Sequence, residues 1–201
     1  MSRLRVAPIV EGHGEYAAVR TLLQRVWSEI VGGDYLDVLQ PIRRPRTLLV
    51  GKPDELPRAV ELAALKLDAV ASDDPALILV LLDAEEDAVC HLAPELLERA
   101  RAARPDRSIR CVLAQREYET WFVAAAASLA GHLDLSGDAE LPAEPERSGH
   151  GKAWIERRFR EVKYSPTVDQ ARLTAAFDLH LCRRRSPSFD KLCRELEAER
   201  R

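Results

Sequence analysis

Residues 76–82, Ala-Leu-Ile-Leu-Val-Leu-Leu, decide the fold class. Every residue of this stretch is apolar, and it lacks the alternation of apolar and polar residues that a half-exposed strand shows. An apolar run of this length between helical segments is typical of a strand buried on both faces of a parallel sheet. The stretch therefore predicts an α/β protein in which helices cover both faces of the sheet.

The residues that precede this strand predict further strands and helices in alternation. Residues 6–10 are an apolar run that ends in the turn Glu-Gly-His-Gly-Glu at residues 11–15, and apolar residues then recur at helical spacing up to the glycine pair at 32–33. Residues 35–42 predict a second strand, and residues 53–70 predict a second helix. This order of elements is that of a parallel sheet with helical crossovers.

The residues that follow the apolar run continue the pattern and then change to helices alone. We predict a helix over 92–103 that begins near Pro94, a strand over 108–114 and a helix over 117–130. Three more helices are predicted over 154–162, 170–181 and 188–196. The chain is thus divided into an α/β domain over 1–131, a loop over 132–149 and a helical extension over 150–201 that packs on the same domain.

The composition excludes several classes of protein. The 201 residues are 46% hydrophobic and 31% charged, which suffices for a sizeable core and argues against disorder. No apolar run approaches the ~18 residues needed to span a membrane, and residues 1–5 do not begin a secretion signal. The four cysteines form no C-x-x-C pair, so the sequence favours neither a zinc ribbon nor a disulfide framework. We expect a cytoplasmic protein that does not associate with a membrane.

Carboxylates stand where three predicted strands end. They are Glu11 after the first strand, Asp83, Glu85, Glu86 and Asp87 after the buried strand, and Glu117 and Glu119 after the strand over 108–114. Ligands of open parallel sheets bind at the carboxyl ends of the strands, and neighbouring carboxylates repel one another unless a cation lies between them. The pattern predicts a site for Mg²⁺ or Mn²⁺. Taken singly, each group would also fit a solvated acidic turn.

The motifs resemble those of a known fold family. A glutamate and glycine after the first strand, with an acidic cluster after a buried strand, resemble the TOPRIM fold of topoisomerases, primases and OLD-type nucleases. More closely, the chain resembles the TOPRIM-like domain-of-unknown-function family 4276. The resemblance rests on residues 10–15, 82–87 and 116–122, and on Gly151-Lys152, Tyr164, Asp169-Gln170, Asp178 and residues 186–192. It implies a TOPRIM-like, mostly parallel sheet flanked by helices, with a C-terminal helical extension.

The resemblance also implies phosphoryl-transfer chemistry on nucleic acid with Mg²⁺ or Mn²⁺. Glu11 would be a metal ligand or the general base, and Asp83 and Glu85 would hold the cation. The TOPRIM pattern is D-x-D where this chain has Asp83-Ala84-Glu85, so Asp87 is an alternative second ligand. Either Glu117 or Glu119 would complete the set, and we expect Glu117 to do so.

Basic residues supply candidates for contact with nucleic acid. One group is Arg43, Arg44 and Arg46, a second includes Lys152, Arg157 and Lys163, and a third is the arginine run at 183–185. Cationic side chains of this kind position phosphates without reading the base sequence. Solvated helix surfaces carry similar arginines, so the charge pattern leaves both interpretations open.

These observations predict a metal-dependent nuclease or a related phosphoryl-transfer subunit, in a setting such as bacterial defence. OLD-type nucleases are associated with an ABC- or AAA-type ATPase, and because this chain has no ATPase motif, such a partner would be a separate polypeptide. The alternative is a non-catalytic adaptor that binds an ATPase or nucleic acid. A third possibility is hydrolysis of a small phosphate ester. The oligomeric state is not predicted.

Overall fold

A parallel sheet forms the centre of the molecule. The computed structural model describes residues 3–69, 72–135, 141–161 and 163–200. Its strands are β1 (Arg3–Val10), β2 (Tyr35–Val38), β3 (Ile42–Arg43), β4 (Ala76–Asp83) and β5 (Ser108–Ala114). The strand order is β2-β1-β4-β5, with β3 pairing with β1 beyond the end of β2, and every pair is parallel.

Helices precede and follow these strands. They are α1 (His13–Arg25), α2 (Arg46–Gly51), α3 (Glu55–Asp68), α4 (Val89–Ala103), α5 (Glu119–Ala124), α6 (Gly151–Glu156), α7 (Pro166–Ala176), α8 (Leu179–Arg185) and α9 (Pro187–Glu197). Helix α1 continues into a π-helical segment, Val26–Val31, which ends at Gly32 in the left-handed region (φ 67°). Among the described residues no helix combines the length and the apolar character needed to cross a membrane.

The buried strand β4 shows why both faces of the sheet are covered. Leu77, Leu79 and Leu81 face a core that contains α1, α5 and the helices after residue 150. The intervening residues, such as Val80, face a second core formed with α3 and α4. Each of these side chains is at most 1% exposed, and burying one stabilises the fold by roughly 1.5–3 kcal/mol. The predicted α/β class, with a mostly parallel sheet flanked by helices and with helices at the C-terminal end, is therefore confirmed.

The helices after residue 150 complete one of the two helical layers. Helix α7 packs along α1, and α9 packs against β5. Leu173, Phe177 and Phe189 belong to the same core as the β1 and β4 side chains, and none of the three is exposed. The helical extension thus packs directly over the sheet, while its division from the α/β domain as a folding unit stays a prediction.

The predicted strand over 35–42 is two strands rather than one. The backbone amides of Leu39 and Arg44 donate to the carbonyls of Val6 and Val10 on β1. Because hydrogen-bonding direction alternates along a strand, Pro8 faces the same side as those two residues. Neither Pro8 nor Pro41, which directly precedes β3, has an N–H to donate. The pairing with β1 is interrupted between β2 and β3 at this position.

Several helix limits also differ from the sequence prediction. The helix expected over 170–181 is divided between α7 and α8, because Phe177 is extended (ψ 147°) and Asp178 caps α8 by accepting a hydrogen bond from the amide of Leu181. Helix α4 begins before the predicted position, so Pro94 lies inside it rather than in the first turn. The helix expected over 117–130 is shortened to α5 and a 3-10 turn, Ala126–Leu129. The helix expected over 154–162 ends at Glu156, and Phe159 forms an isolated antiparallel bridge with Leu133. Residues 70 and 162, and residues 136–140 of the predicted loop, lie outside the described residues.

Candidate functional site

A cleft opens at the carboxyl ends of β1 and β4. The chain passes from β1 to β2 on one side and later crosses to β4 on the other, so the direction of strand order reverses between β1 and β4. Ligands of open α/β sheets bind at such reversal points. The cleft has a volume of about 430 Å³ and is lined by Glu11, Gly12, His13, Gly14, Glu15, Asp83, Glu85, Glu117, Glu119, Lys152, Pro166 and Thr167.

Glu11 and Asp83 lie in contact at the centre of this cleft. The backbone amide of Asp83 donates to Oε1 of Glu11 at 2.9 Å. Burial is the main cause that raises the pKa of Glu11 from 4.5 to about 7, and the negative charge of Glu15 adds to it. Burial, with the charges of Glu11 and Glu15, also raises the pKa of Asp83 well above 3.8, although the amide of Tyr118 donates to its Oδ1 at 2.8 Å. The two carboxyl groups cannot both ionise here without cost.

Two further carboxyl groups are almost completely buried beside this pair. Glu15, in the first turn of α1, is 8% exposed and accepts a hydrogen bond of 3.1 Å from Nε2 of Gln170. Glu119, at the start of α5, is 4% exposed and accepts a hydrogen bond of 2.9 Å from the hydroxyl of Tyr164. Burial is the main cause that raises the pKa of Glu119 to about 7, and the charge of Glu15 contributes. Carboxyl groups from four elements therefore converge in the cleft.

Sequence reasoning nominated Glu119 but not Glu15. The signal for Glu15 was present in the turn at residues 11–15, because a residue in the first turn of α1 must lie near the end of the strand that precedes it. The partners Tyr164 and Gln170 are distant in sequence, and only the packing of α7 on α1 brings them to the site.

Glu117 lies at the rim of the cleft rather than at its floor. Its Oε2 accepts a hydrogen bond of 2.8 Å from the amide of Lys152, and its Oε1 lies 3.2 Å from Nδ1 of His150. Glu117 thus ties the loop after β5 to the start of α6. Both it and Glu119 line the cleft, so the expectation that Glu117 rather than Glu119 contacts a cation stays a prediction.

Arg46 binds the acidic turn that follows β4. Its guanidinium donates to the carbonyls of Asp83 at 2.8 Å and Ala84 at 3.0 Å, and it forms ion pairs with Glu85 at 3.2 Å and with Asp87. The Arg46 side chain is only 10% exposed. Glu85 lines the cleft, whereas the carboxylate of Asp87 is paired with Arg46 away from it. In the structure, Arg46 therefore holds this turn in place.

Backbone strain accompanies this turn. Glu85 adopts a left-handed conformation (φ 51°), as does Arg116 (φ 63°) on the adjoining loop after β5. The amide of Glu85 donates to the carbonyl of Arg116 at 2.8 Å, which joins the two loops. Non-glycine residues in this region are uncommon and occur often at functional sites.

The donor chemistry of the cleft fits a hard cation, but the ligands are not already arranged around one. Carboxylate oxygens are the ligands that Mg²⁺ and Mn²⁺ prefer. Among the described residues, however, no group of three or more His, Cys, Asp or Glu side chains has the arrangement that would hold a metal ion. The carboxyl groups are instead held by hydrogen bonds from protein donors. A cation would have to draw Glu11, Asp83 and a third oxygen donor together.

The predicted cations lie on two sides of the cleft. Lys152 lines it, and Lys152 and Lys163 also line an adjoining cleft of about 300 Å³. Arg157, just after α6, is exposed. On the other side of β1, Arg43 pairs with Val10, and Arg44 follows it at the same edge of the sheet. Of these residues the structure places Lys152 on the lining of the carboxylate cleft, and the contact of the group with nucleic acid stays a prediction.

Comparisons with known proteins identify one family. The family model described as "Domain of unknown function (DUF4276)" matches residues 10–197. A search of curated proteins found no match, and neither did a search of solved structures. The matched segment runs from the end of β1 to the end of α9 and includes every residue that lines the cleft. The chain therefore belongs to the DUF4276 family.

Proposed function

We propose that this protein is a divalent-metal-dependent nuclease, or a related phosphoryl-transfer subunit, that acts on nucleic acid. The observation that carries the proposal is the convergence of Glu11, Glu15, Asp83 and Glu119 in one cleft at the reversal point of the sheet. Burying carboxyl groups side by side destabilises the fold unless opposite charge neutralises them. A divalent cation is the simplest source of that charge.

The contacting pair Glu11 and Asp83 would hold the cation, with Glu119 or Glu15 as a third oxygen donor. Glu85 remains a candidate, but it would have to exchange its ion pair with Arg46 for the metal. When bound there, Mg²⁺ or Mn²⁺ would polarise a phosphodiester and stabilise the negative charge that develops on its oxygens.

The protein's own groups would orient the substrate and accept a proton. The amide of Asp83 fixes one oxygen of Glu11. Glu11 is either a ligand of the cation or the general base, and in the second role its other oxygen would take a proton from the attacking water. Lys152, on the wall of the same cleft, would hold a phosphate oxygen. Tyr164 and Gln170 would keep the buried carboxylates Glu119 and Glu15 in place.

The resemblance to TOPRIM and OLD-type nucleases supports the same reaction class. It also supports a separate ABC- or AAA-type ATPase as partner and a role in bacterial defence. A fold can provide a site without determining the reaction that takes place there. Activity measurements therefore test these assignments.

A cleavage assay tests the proposal. Purified protein is incubated with plasmid DNA, single-stranded DNA or RNA in Mg²⁺ or Mn²⁺, with and without a neighbouring ATPase. We expect metal-dependent cleavage that falls by about 100-fold or more in Glu11→Gln and in Asp83→Asn. Glu98→Gln, which changes an exposed carboxylate on α4, is the matched control and should cleave normally. Unchanged cleavage by the first two variants would contradict the assignment of the site.

One observation favours the alternative of a non-catalytic adaptor. Within the described part of the chain, the carboxyl groups already have hydrogen-bond partners and do not form a three-ligand set. Calorimetric titration with Mn²⁺ separates the two proposals, because an adaptor without a metal would show no binding at millimolar Mn²⁺. A panel of small phosphate esters would reveal the third possibility, a phosphatase.

A further inference from the structure

The carboxylate cleft has cations on both sides along the edge of the sheet. Following the strand order, Arg43 and Arg44 lie at the end of β3, Glu11 follows β1, and Asp83 ends β4. Beyond β5, Glu117 binds the amide of Lys152. Along this edge of the sheet, the carboxylates therefore lie between two groups of cationic side chains.

These flanking cations differ from most arginines of the molecule in having no acidic partner. Arg110 is neutralised by Glu195 and Glu199, and Arg46 by the acidic turn after β4. In the described ranges, by contrast, no ion pair involves Lys152, Lys163, Arg43 or Arg44. Lys152 shares its cleft with several carboxylates and still pairs with none of them. Their charge is therefore available to an anionic ligand.

The separation of the two basic flanks favours an extended ligand over a small one. From β3 to β5 there are three interstrand steps, which at the usual spacing amount to roughly 14 Å. Beyond Lys152 the adjoining cleft of about 300 Å³ extends the positive surface to Lys163 and Ser165. A chain of several phosphodiesters can contact both flanks at this separation.

The depth of the site distinguishes a single strand from a duplex. Glu15 and Glu119 are 8% and 4% exposed, so a phosphodiester must enter the cleft to approach them. A flexible single strand can bend so that one phosphodiester enters the cleft, whereas a duplex is stiff and has to be deformed at a cost of a few kcal/mol. The flanking groups are cations that contact phosphates, which makes recognition independent of base sequence.

We propose that the ligand of this site is a single-stranded nucleic acid, whose phosphates follow a track from Arg43 and Arg44 across the carboxylates to Lys152 and Lys163. This inference rests on the proposed function and names its substrate class. Single-stranded DNA and RNA share the phosphodiester chemistry of the track, and parallel titrations with the two polymers distinguish them.

Binding without cleavage tests the track. Fluorescence anisotropy is measured in EDTA with labelled oligo(dT) and oligo(U) of about 12 nucleotides, and with a duplex of the same length, over a series of salt concentrations. We expect the single strands to bind more tightly than the duplex, with a linear dependence of log K on log salt. Each lost phosphate contact reduces the slope by about 0.7 for a single strand. Lys152→Ala/Lys163→Ala should therefore reduce it by about 1.4 and weaken binding, and so should Arg43→Ala/Arg44→Ala.

Controls separate this inference from the proposed function. Arg20→Ala/Arg101→Ala removes two exposed cations on α1 and α4 and should leave the slope unchanged. An unaltered slope in both track variants, or a duplex that binds at least as tightly as the single strands, would overturn the track. Loss of slope in the track variants together with no cleavage in any metal would uphold the track and overturn the nuclease.

Discussion

Replacing Glu119 by glutamine should stabilise the metal-free protein, and the gain should depend on pH. Glutamine keeps the oxygen that accepts the hydrogen bond from Tyr164 and has nearly the same size. It removes only the ionisation of a group that is 4% exposed and lies near Glu15 and Glu117. The variant therefore isolates the electrostatic cost of one carboxylate in the cleft.

The size and sign of the effect follow from the pKa of Glu119. Burial raises this pKa from 4.5 to about 7 in the folded protein, and a tenfold change in an acid dissociation constant corresponds to about 1.4 kcal/mol. Between these two pKa values the folded state binds more protons than the unfolded state, so the free energy of unfolding falls as pH rises. The loss is complete above the folded pKa and amounts to at most about 3.5 kcal/mol, a large share of typical domain stability.

Urea unfolding in EDTA at pH 5, 6, 7 and 8 measures the difference between the variant and the wild type. We expect Glu119→Gln to gain little at pH 5 and about 1–3 kcal/mol at pH 8. Glu98→Gln, on the exposed side of α4, should differ from the wild type by less than about 0.5 kcal/mol at every pH. Effects of pH on the remaining carboxyl groups are largely common to both proteins and cancel in the difference.

Two results would refute this reasoning. A difference between Glu119→Gln and the wild type that is the same at pH 5 and pH 8 would show that ionisation of Glu119 has no cost in the fold. A variant that is less stable than the wild type at pH 8 would show that the ionised carboxylate is already stabilised by the protein itself, without a cation.

Three other predictions concern the same region. Mn²⁺ should raise the melting temperature more at pH 8 than at pH 6, because protons compete with the metal for the carboxylates. A Mn²⁺ concentration of 100 times Kd would stabilise the fold by about 3 kcal/mol. Equal changes in melting temperature at the two pH values would contradict the prediction. Arg46→Lys should lower the free energy of unfolding by about 1–3 kcal/mol, because one ammonium group cannot replace a guanidinium that binds two carbonyls and two carboxylates. Urea unfolding measures this change. Arg44→Lys is the exposed control and should change the free energy of unfolding little. Gly151→Ala should lower the melting temperature, because a Cβ would lie 2.5 Å from the backbone nitrogen of Thr120. Gly51→Ala is the control and should be close to neutral, because a Cβ there would meet nothing within 4 Å. Equal melting temperatures for the two variants would show that α5 and α6 can separate freely.

The sheet can be predicted where local sequence determines it. The strand predicted over 108–114 has the bounds of β5, and the apolar run at 76–82 differs from β4 by a single residue. The apolar residues on both faces of β4 favour its burial between two helical layers. The division of the segment 35–42 has a local signal in Pro41, which has no N–H to donate to β1. Pro8 on the neighbouring strand is a second signal that lies outside the segment.

The candidate site shows the same limit. Glu11 and Asp83 can be nominated from the sequence because each follows a parallel strand, and such strands deliver their ends to one edge. Whether a carboxylate is engaged elsewhere depends on residues far along the chain. Glu85 and Asp87 are paired with Arg46 from α2, and Glu119 is held by Tyr164 from the segment before α7. Spacing within a motif contains no information on such partners.

The dependence of Glu15 on Gln170, and of Glu119 on Tyr164, has a consequence during synthesis. An emerging chain folds from its N-terminal end, so β1, β4 and β5 can associate while the segment from Tyr164 to Gln170 is still inside the ribosome. Until that segment packs against α1 and α5, Glu15 and Glu119 lack the hydrogen bonds that Gln170 and Tyr164 donate. The buried carboxyl groups of the cleft are therefore completed only when the C-terminal half of the chain has folded onto the N-terminal half.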